Sequence, residues 1–123
     1  GRGQQIAVET KLCEMALEIE VDELVSTNVH QESFECLSIL IKYFANAAKD
    51  DEKYRRVRKT NEVYQKKVLP VNRSQSILSA GGWVDAGDVW ILPKSVDASK
   101  CTEACAIIQS KLDLLSVLCS TAA

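Results

Sequence analysis

The chain is poor in the residues on which catalysis usually rests. It has one histidine in 123 residues, His30, beside the polar Ser26-Thr27-Asn28-Val29 stretch. No nucleophile partner for it is evident, so it reads as a surface residue rather than a general base. The adjacent pair Gly81-Gly82 is too short for a phosphate-cradling loop and lacks a following Lys-Ser/Thr. Cysteines number five, Cys13, Cys36, Cys101, Cys105 and Cys119. Cys101 and Cys105 are four residues apart, but with no second Cys or His pair they do not make a structural zinc site. An odd count set in apolar helical pattern reads as reduced, buried small hydrophobes of a cytoplasmic or nuclear protein. Asp85 and Asp88 bracket Gly87, which turn chemistry explains better than paired acid–base work. No apolar run approaches the length of a membrane span, and no basic-then-apolar leader is seen at the amino end, so neither membrane association nor a signal peptide is expected. Asn72-Arg73-Ser74 fits a glycosylation sequon but reads as a turn. The expectation is a non-enzyme without metal or cofactor.

What is present is a soluble, globular composition: 46% apolar and 26% charged residues in a chain of one-domain length. That length can bury a core without disulfides. The net charge of −2 hides an asymmetry. Residues 1–35 carry eight acids and two bases, net −6. Residues 53–67 carry seven bases (Lys53, Arg55, Arg56, Arg58, Lys59, Lys66 and Lys67) against Glu62, net +6. A local basic patch on a mildly acidic protein suggests a specific acidic partner. It argues against bulk nucleic-acid binding, for which a strongly basic domain is usual.

Apolar residues at 6, 8, 12, 13, 16, 17 and 19 predict a first helix, ended by the polar 26–28 stretch. Phe34, Leu37, Leu40, Ile41, Phe44, Ala45 and Ala48 share one face of a second helix, with Ser33 a candidate cap. Asp50-Asp51 suits a helix amino terminus and predicts a short helix over 51–58. A second short helix is predicted over Glu62–Lys67. Pro70 then biases Leu69 out of helical geometry, and a third short helix, 73–80, stops at Gly81-Gly82. Trp83-Val84 and Val89-Trp90-Ile91-Leu92 flank Asp85-Ala86-Gly87-Asp88, a hairpin signal. Cys101, Cys105, Ile108, Leu112, Leu115 and Cys119 step by fours and threes, the seam of a last helix. The whole is α-rich with one small antiparallel sheet.

The order of residues in the basic stretch carries more. Glu52-Lys53-Tyr54-Arg55, Val57-Arg58, Asn61, Tyr64, Lys67 and Leu69-Pro70-Val71, followed by Gly82-Trp83 and by Val89–Pro93, resembles the PUB (PUG) domain. That family occurs in peptide:N-glycanase, in UBX- and UBA-containing proteins and in a subunit of the linear-ubiquitin ligase. The resemblance covers about residues 22–115. Thr60 stands where the family often has Gly, Tyr64 and Trp83 where it has Phe, and Gly81 where it has a bulky apolar residue.

The resemblance implies an α+β fold, several helices on a small antiparallel sheet of about three strands. It implies an amino-terminal helical extension (1–21), the domain proper (22–118) and a tail (119–123). It also implies a function: binding the acidic carboxyl-terminal tail of the valosin-containing AAA ATPase, which ends in a Leu-Tyr-Gly-like sequence, or a related tyrosine motif of a deubiquitinase. Asn61 would hydrogen-bond the peptide backbone. Tyr54, Val57 and Val63 would wall a slot for its aromatic ring, and Lys53 and Arg58 would pair with its carboxylates. Gly82 would allow close backbone approach beside Trp83. Two readings of the residues themselves stay open: Asn61 as a helix cap, and Tyr54, Val57 and Trp83 as core. Arg55, Arg56 and Lys59 read as a solvated, steering face, and Trp90 as packing. Rival functions are nucleic-acid binding through 53–67 with stacking tyrosines, and a dimerising helical domain.

Overall fold

Among the described residues, four α-helices and a three-stranded sheet follow the order α1 (Arg2–Thr27), α2 (His30–Ala47), β1 (Arg56–Arg58), α3 (Ser74–Ala80), β2 (Val84–Asp85), β3 (Val89–Ile91) and α4 (Ala98–Thr121). A computed structural model describes residues 2–49 and 51–121, with side chains from 15 to 119. Ile6, Val8, Leu12 and Cys13, which predicted the start of α1, lie outside the residues whose side chains are described.

α2 and α4 form the principal helix pair. Cys36, Leu37, Leu40, Phe44 and Ala47 from α2 meet Cys101, Ala104, Ile108, Leu112 and Leu115 from α4 in one core. The periodicity of both helices explains this, because each places its apolar residues on one stripe. Cys105 and Cys119 sit at the margin of the seam rather than inside it. Leu17, Val21 and Leu24 bring α1 into the same core, and Lys111 pairs with Asp22 across α1 and α4. α1 runs unbroken through residues 21–22 and α4 through 118–119, so both expected segment boundaries fall within helices.

Three local expectations are corrected. Leu69 keeps helical angles, φ −55° and ψ −43°, despite the following Pro70, because its N–H closes the preceding helical segment on the Tyr64 carbonyl. Ser33 is not a cap: α2 starts at His30 after an extended Val29, and Ser33 is fully buried on its inner face. The predicted helix over 51–58 is a single 3-10 turn, Glu52–Arg55, that passes into β1. Asp51 caps that turn as its position predicts, its Oδ1 accepting the Lys53 N–H at 3.1 Å. The chain then becomes extended because tertiary contacts outweigh local preference. Val57 pairs with Trp90, and the Arg55 guanidinium is drawn inward to donate to the carbonyls of Pro93 (2.9 Å) and Val96 (2.7 Å).

The sheet is antiparallel, in the order β1-β3-β2. The predicted hairpin is β2–β3, turned by Gly87 at φ +93°, with Asp85 Oδ1 accepting its N–H. Glu62 begins the predicted second short helix, but from Tyr64 to Val68 it widens to π geometry, with the Leu69 N–H donating to the Tyr64 carbonyl five residues back. Tyr64 is fully buried, and its Oη accepts the Trp90 Nε1–H at 3.0 Å. Residues 72–73 form the expected turn, clamped to the α1–α2 junction by reciprocal bonds between Asn28 and the Asn72 backbone.

Candidate functional site

The carboxyl half of α2 and β1 stand on either side of a cleft of about 340 Å3. Tyr43 and Asn46 line it from α2. Lys53 and Tyr54 line it from the 3-10 turn, Arg56, Val57 and Arg58 from β1, and Asn61 from the turn after the strand. Their placement comes from local structure. The 3-10 turn lifts Lys53 and Tyr54 to the rim. Strand alternation then turns Arg56 and Arg58 outward and Val57 inward, the exposed–buried–exposed pattern of β1. Asn61 ends a tight turn in which its own N–H donates to the Arg58 carbonyl.

The basic stretch divides when its partners are counted. The Arg55 guanidinium is buried and spent on carbonyls, so Arg55 is a structural residue and not part of a solvated face. Lys59 pairs with Asp85 at 2.6 Å and lies 5.1 Å from the Trp90 ring centroid. The Asp85 carboxyl is held below its ordinary range by that ammonium and by the Gly87 N–H. Lys66 pairs with Glu62 and Lys67 with Glu35. Lys53 lies 3.8 Å from Asp51 and over the Tyr54 ring. Among the described residues, Arg56 and Arg58 have no ion-pair partner within 4.0 Å, and both line the cleft. The charge available to a ligand is therefore concentrated on β1 rather than spread along fifteen residues.

Asn61 holds two positions at once. Its Oδ1 accepts the Tyr64 N–H at 3.0 Å and so starts the π-helical segment. Capping uses the carbonyl oxygen, so the Nδ2 donors remain available to the cleft. Tyr43 forms part of the floor. Its phenol is pushed up to about 12, chiefly by burial and then by Tyr64 and Cys36, so it stays neutral. Behind it the Trp83 ring lies 6.5 Å from Tyr43 and edge-on to Phe44 at 6.2 Å.

Five of the eight expected binding residues thus share one cleft: Lys53, Tyr54, Val57, Arg58 and Asn61. The other three stand apart from its lining. Val63 is half exposed and does not line the cleft. Trp83 is 3% exposed, packed as core behind Tyr43. Gly82 adopts φ +101° where a Cβ would come within 2.8 Å of Val96, so its close approach is to the loop before α4. Tyr43, Asn46 and Arg56 also line the cleft, and the sequence reading gave none of them a ligand contact. Tyr43 and Asn46 are three residues apart on α2, a spacing that puts them on one helix face. No signal in the sequence said that this face meets β1.

A larger depression, about 580 Å3, lies between α1, α3 and the sheet, but Glu20 and Asp85 give it the wrong sign for an acidic ligand. The family model describing the PUB domain matches residues 30–106. No curated protein matches the chain.

Proposed function

Because the chain belongs to the PUB domain family, whose members are protein-interaction modules, we propose that the α2–β1 cleft binds the acidic carboxyl-terminal tail of the valosin-containing AAA ATPase. The observation that carries this reading is the juxtaposition of Arg56 and Arg58, with no ion-pair partner within 4.0 Å among the described residues, with the Val57–Tyr54–Tyr43 apolar wall and the Asn61 amide. An acidic peptide with one aromatic anchor needs those three elements together. The arginines draw the peptide in and set its register. The wall takes the ring out of water, and the amide fixes one backbone group. Nothing in such a site performs chemistry. Its effect is to bring the ATPase to whatever is joined to this module, which suits a role in ubiquitin-dependent or ER-associated degradation in the cytoplasm or nucleus.

A cleft this small supports modest affinity. A micromolar Kd, about −8 kcal/mol, is the scale expected. Fluorescence anisotropy with a labelled peptide of the last ten or so residues of the ATPase tests the reading. Micromolar binding, weakened at least tenfold in Asn61→Ala, supports it. A flat titration with the unaltered chain refutes it, and the deubiquitinase tyrosine motif is the next ligand to titrate. Phosphate-driven nucleic-acid binding would instead fall steeply with salt and show little sequence preference.

A further inference from the structure

β1 is an edge strand. β3 lies on one side of it, no strand among the described residues pairs with the other, and all three of its residues line the cleft. The ladder fixes which backbone groups face which way. The Leu92 N–H donates to the Arg55 carbonyl at 2.8 Å, and the Lys59 N–H to the Asp88 carbonyl at 2.9 Å. In an antiparallel pair the residues that bond to the partner alternate with those that do not. Residues 55, 57 and 59 therefore turn their backbone groups toward β3, and Arg56 and Arg58 turn theirs away from it, to the unpaired edge. The Arg58 carbonyl already accepts the Asn61 N–H. What β1 presents outward is the N–H and C=O of Arg56 and the N–H of Arg58.

From this arrangement we infer that the ligand is taken up as an added β-strand, an extended acidic peptide that lies between α2 and β1 and bonds through its backbone to Arg56 and Arg58. Strand addition on an exposed edge is an established way to hold an extended peptide. This mode rests on the reading that the cleft binds an acidic peptide, and it adds a selection rule. Arg56 and Arg58 project from the same face of β1, with Val57 on the other. On a strand laid alongside, every second residue would come within about 5 Å, Cβ to Cβ, of an arginine. The residue between would turn to the face on which Val57 is buried, against the wall that Tyr43 completes. The preferred ligand is therefore acidic–apolar–acidic in an extended segment, rather than merely acidic overall.

Amide hydrogen exchange by NMR on the full chain tests this with two probes, the ATPase tail peptide and a designed peptide alternating Asp with Leu or Tyr. On saturation, exchange at the Arg56 and Arg58 amides should slow at least tenfold, while Val57 and Lys59, which already face β3, stay unchanged. N-methylation along the bound peptide should weaken binding at least tenfold at alternate positions and leave the intervening ones within about twofold. Binding of either peptide with no added protection at Arg56 and Arg58 overturns strand addition and leaves the peptide-binding function standing. Protection by the alternating peptide when the tail peptide does not bind supports strand addition and removes the ATPase tail as ligand. If neither peptide binds at millimolar concentration, both ideas fail.

Discussion

Asn61 offers a way to separate what holds the fold from what holds the ligand. Its Oδ1 accepts the Tyr64 N–H at 3.0 Å, and its Nδ2 is the donor proposed for the peptide. Asn61→Ala removes both. Loss of a capping acceptor costs about 1 kcal/mol, within a range of roughly 0.5–2, which for a domain of this size lowers Tm by roughly 3–5 °C. Asn61→Ser retains an oxygen able to cap and deletes the amide donors. It should melt within about 2 °C of the parent chain while losing peptide affinity as fully as Asn61→Ala. The assay is thermal denaturation followed by circular dichroism, with peptide anisotropy on the same samples. If Asn61→Ser destabilises as much as Asn61→Ala, the capping assignment is wrong. If it binds like the parent, the amide is not a ligand contact.

Further predictions concern the core and the charges. A Cβ at Gly81 would sit 2.2 Å from Phe44 Cζ. Gly81→Ala should therefore cost about 1–3 kcal/mol in urea unfolding by overpacking, with part recovered when Phe44 is shortened to Leu; equal and additive costs would exclude that clash. The Trp90 Nε1–H has a partner in Tyr64, whereas the buried Trp83 Nε1 has none among the described residues. Trp90→Phe should thus cost about 1 kcal/mol more than Trp83→Phe, and the reverse order would contradict this assignment of the core hydrogen bonds. Cys36 is fully buried, which shuts out reagent and pushes its thiol up to about 12, so at pH 8 iodoacetamide should label it only as fast as the chain unfolds. Asp85 titrates below an ordinary aspartate because of Lys59 and Gly87. Its contribution is present above the ordinary carboxylate range and lost as pH falls through the lowered value; a carboxyl NMR titration that does not shift upward in Lys59→Ala would refute this cause. Phosphorylation of the tail tyrosine should weaken binding at least tenfold, since a dianion in an apolar slot is costly to desolvate.

The long amphipathic helices were legible because their information is local. The seam from Cys101 to Leu115 states its own face, and so does the stripe from Leu37 to Phe44. The hairpin was legible from turn chemistry at Gly87. Residues 51–58 were misread because the cap at Asp51 is real but governs only one turn. The path of the chain beyond that turn is decided by Trp90 and by the carbonyls of Pro93 and Val96, about forty residues away. The same distance hid the fate of Arg55. In composition it is one cation among seven, and only the fold shows which are buried, which are paired and which two, Arg56 and Arg58, have no ion-pair partner within 4.0 Å among the described residues. Much of the expected site came from matching spacing to a known pattern, and five residues of that pattern converge on the cleft. Tyr43 and Asn46 complete it from a helix whose sequence announces only its buried face.

An exposed strand edge is also a hazard, since it can template pairing with another copy of the same chain. β1 is three residues long, and two of them are arginines on one face. Two copies aligned edge to edge would place guanidinium against guanidinium, and like charges directly opposite in a ladder are destabilising. The side chains that would welcome an acidic strand thus discourage self-association, so the same edge can stay open in a crowded solution without becoming a seed for aggregation.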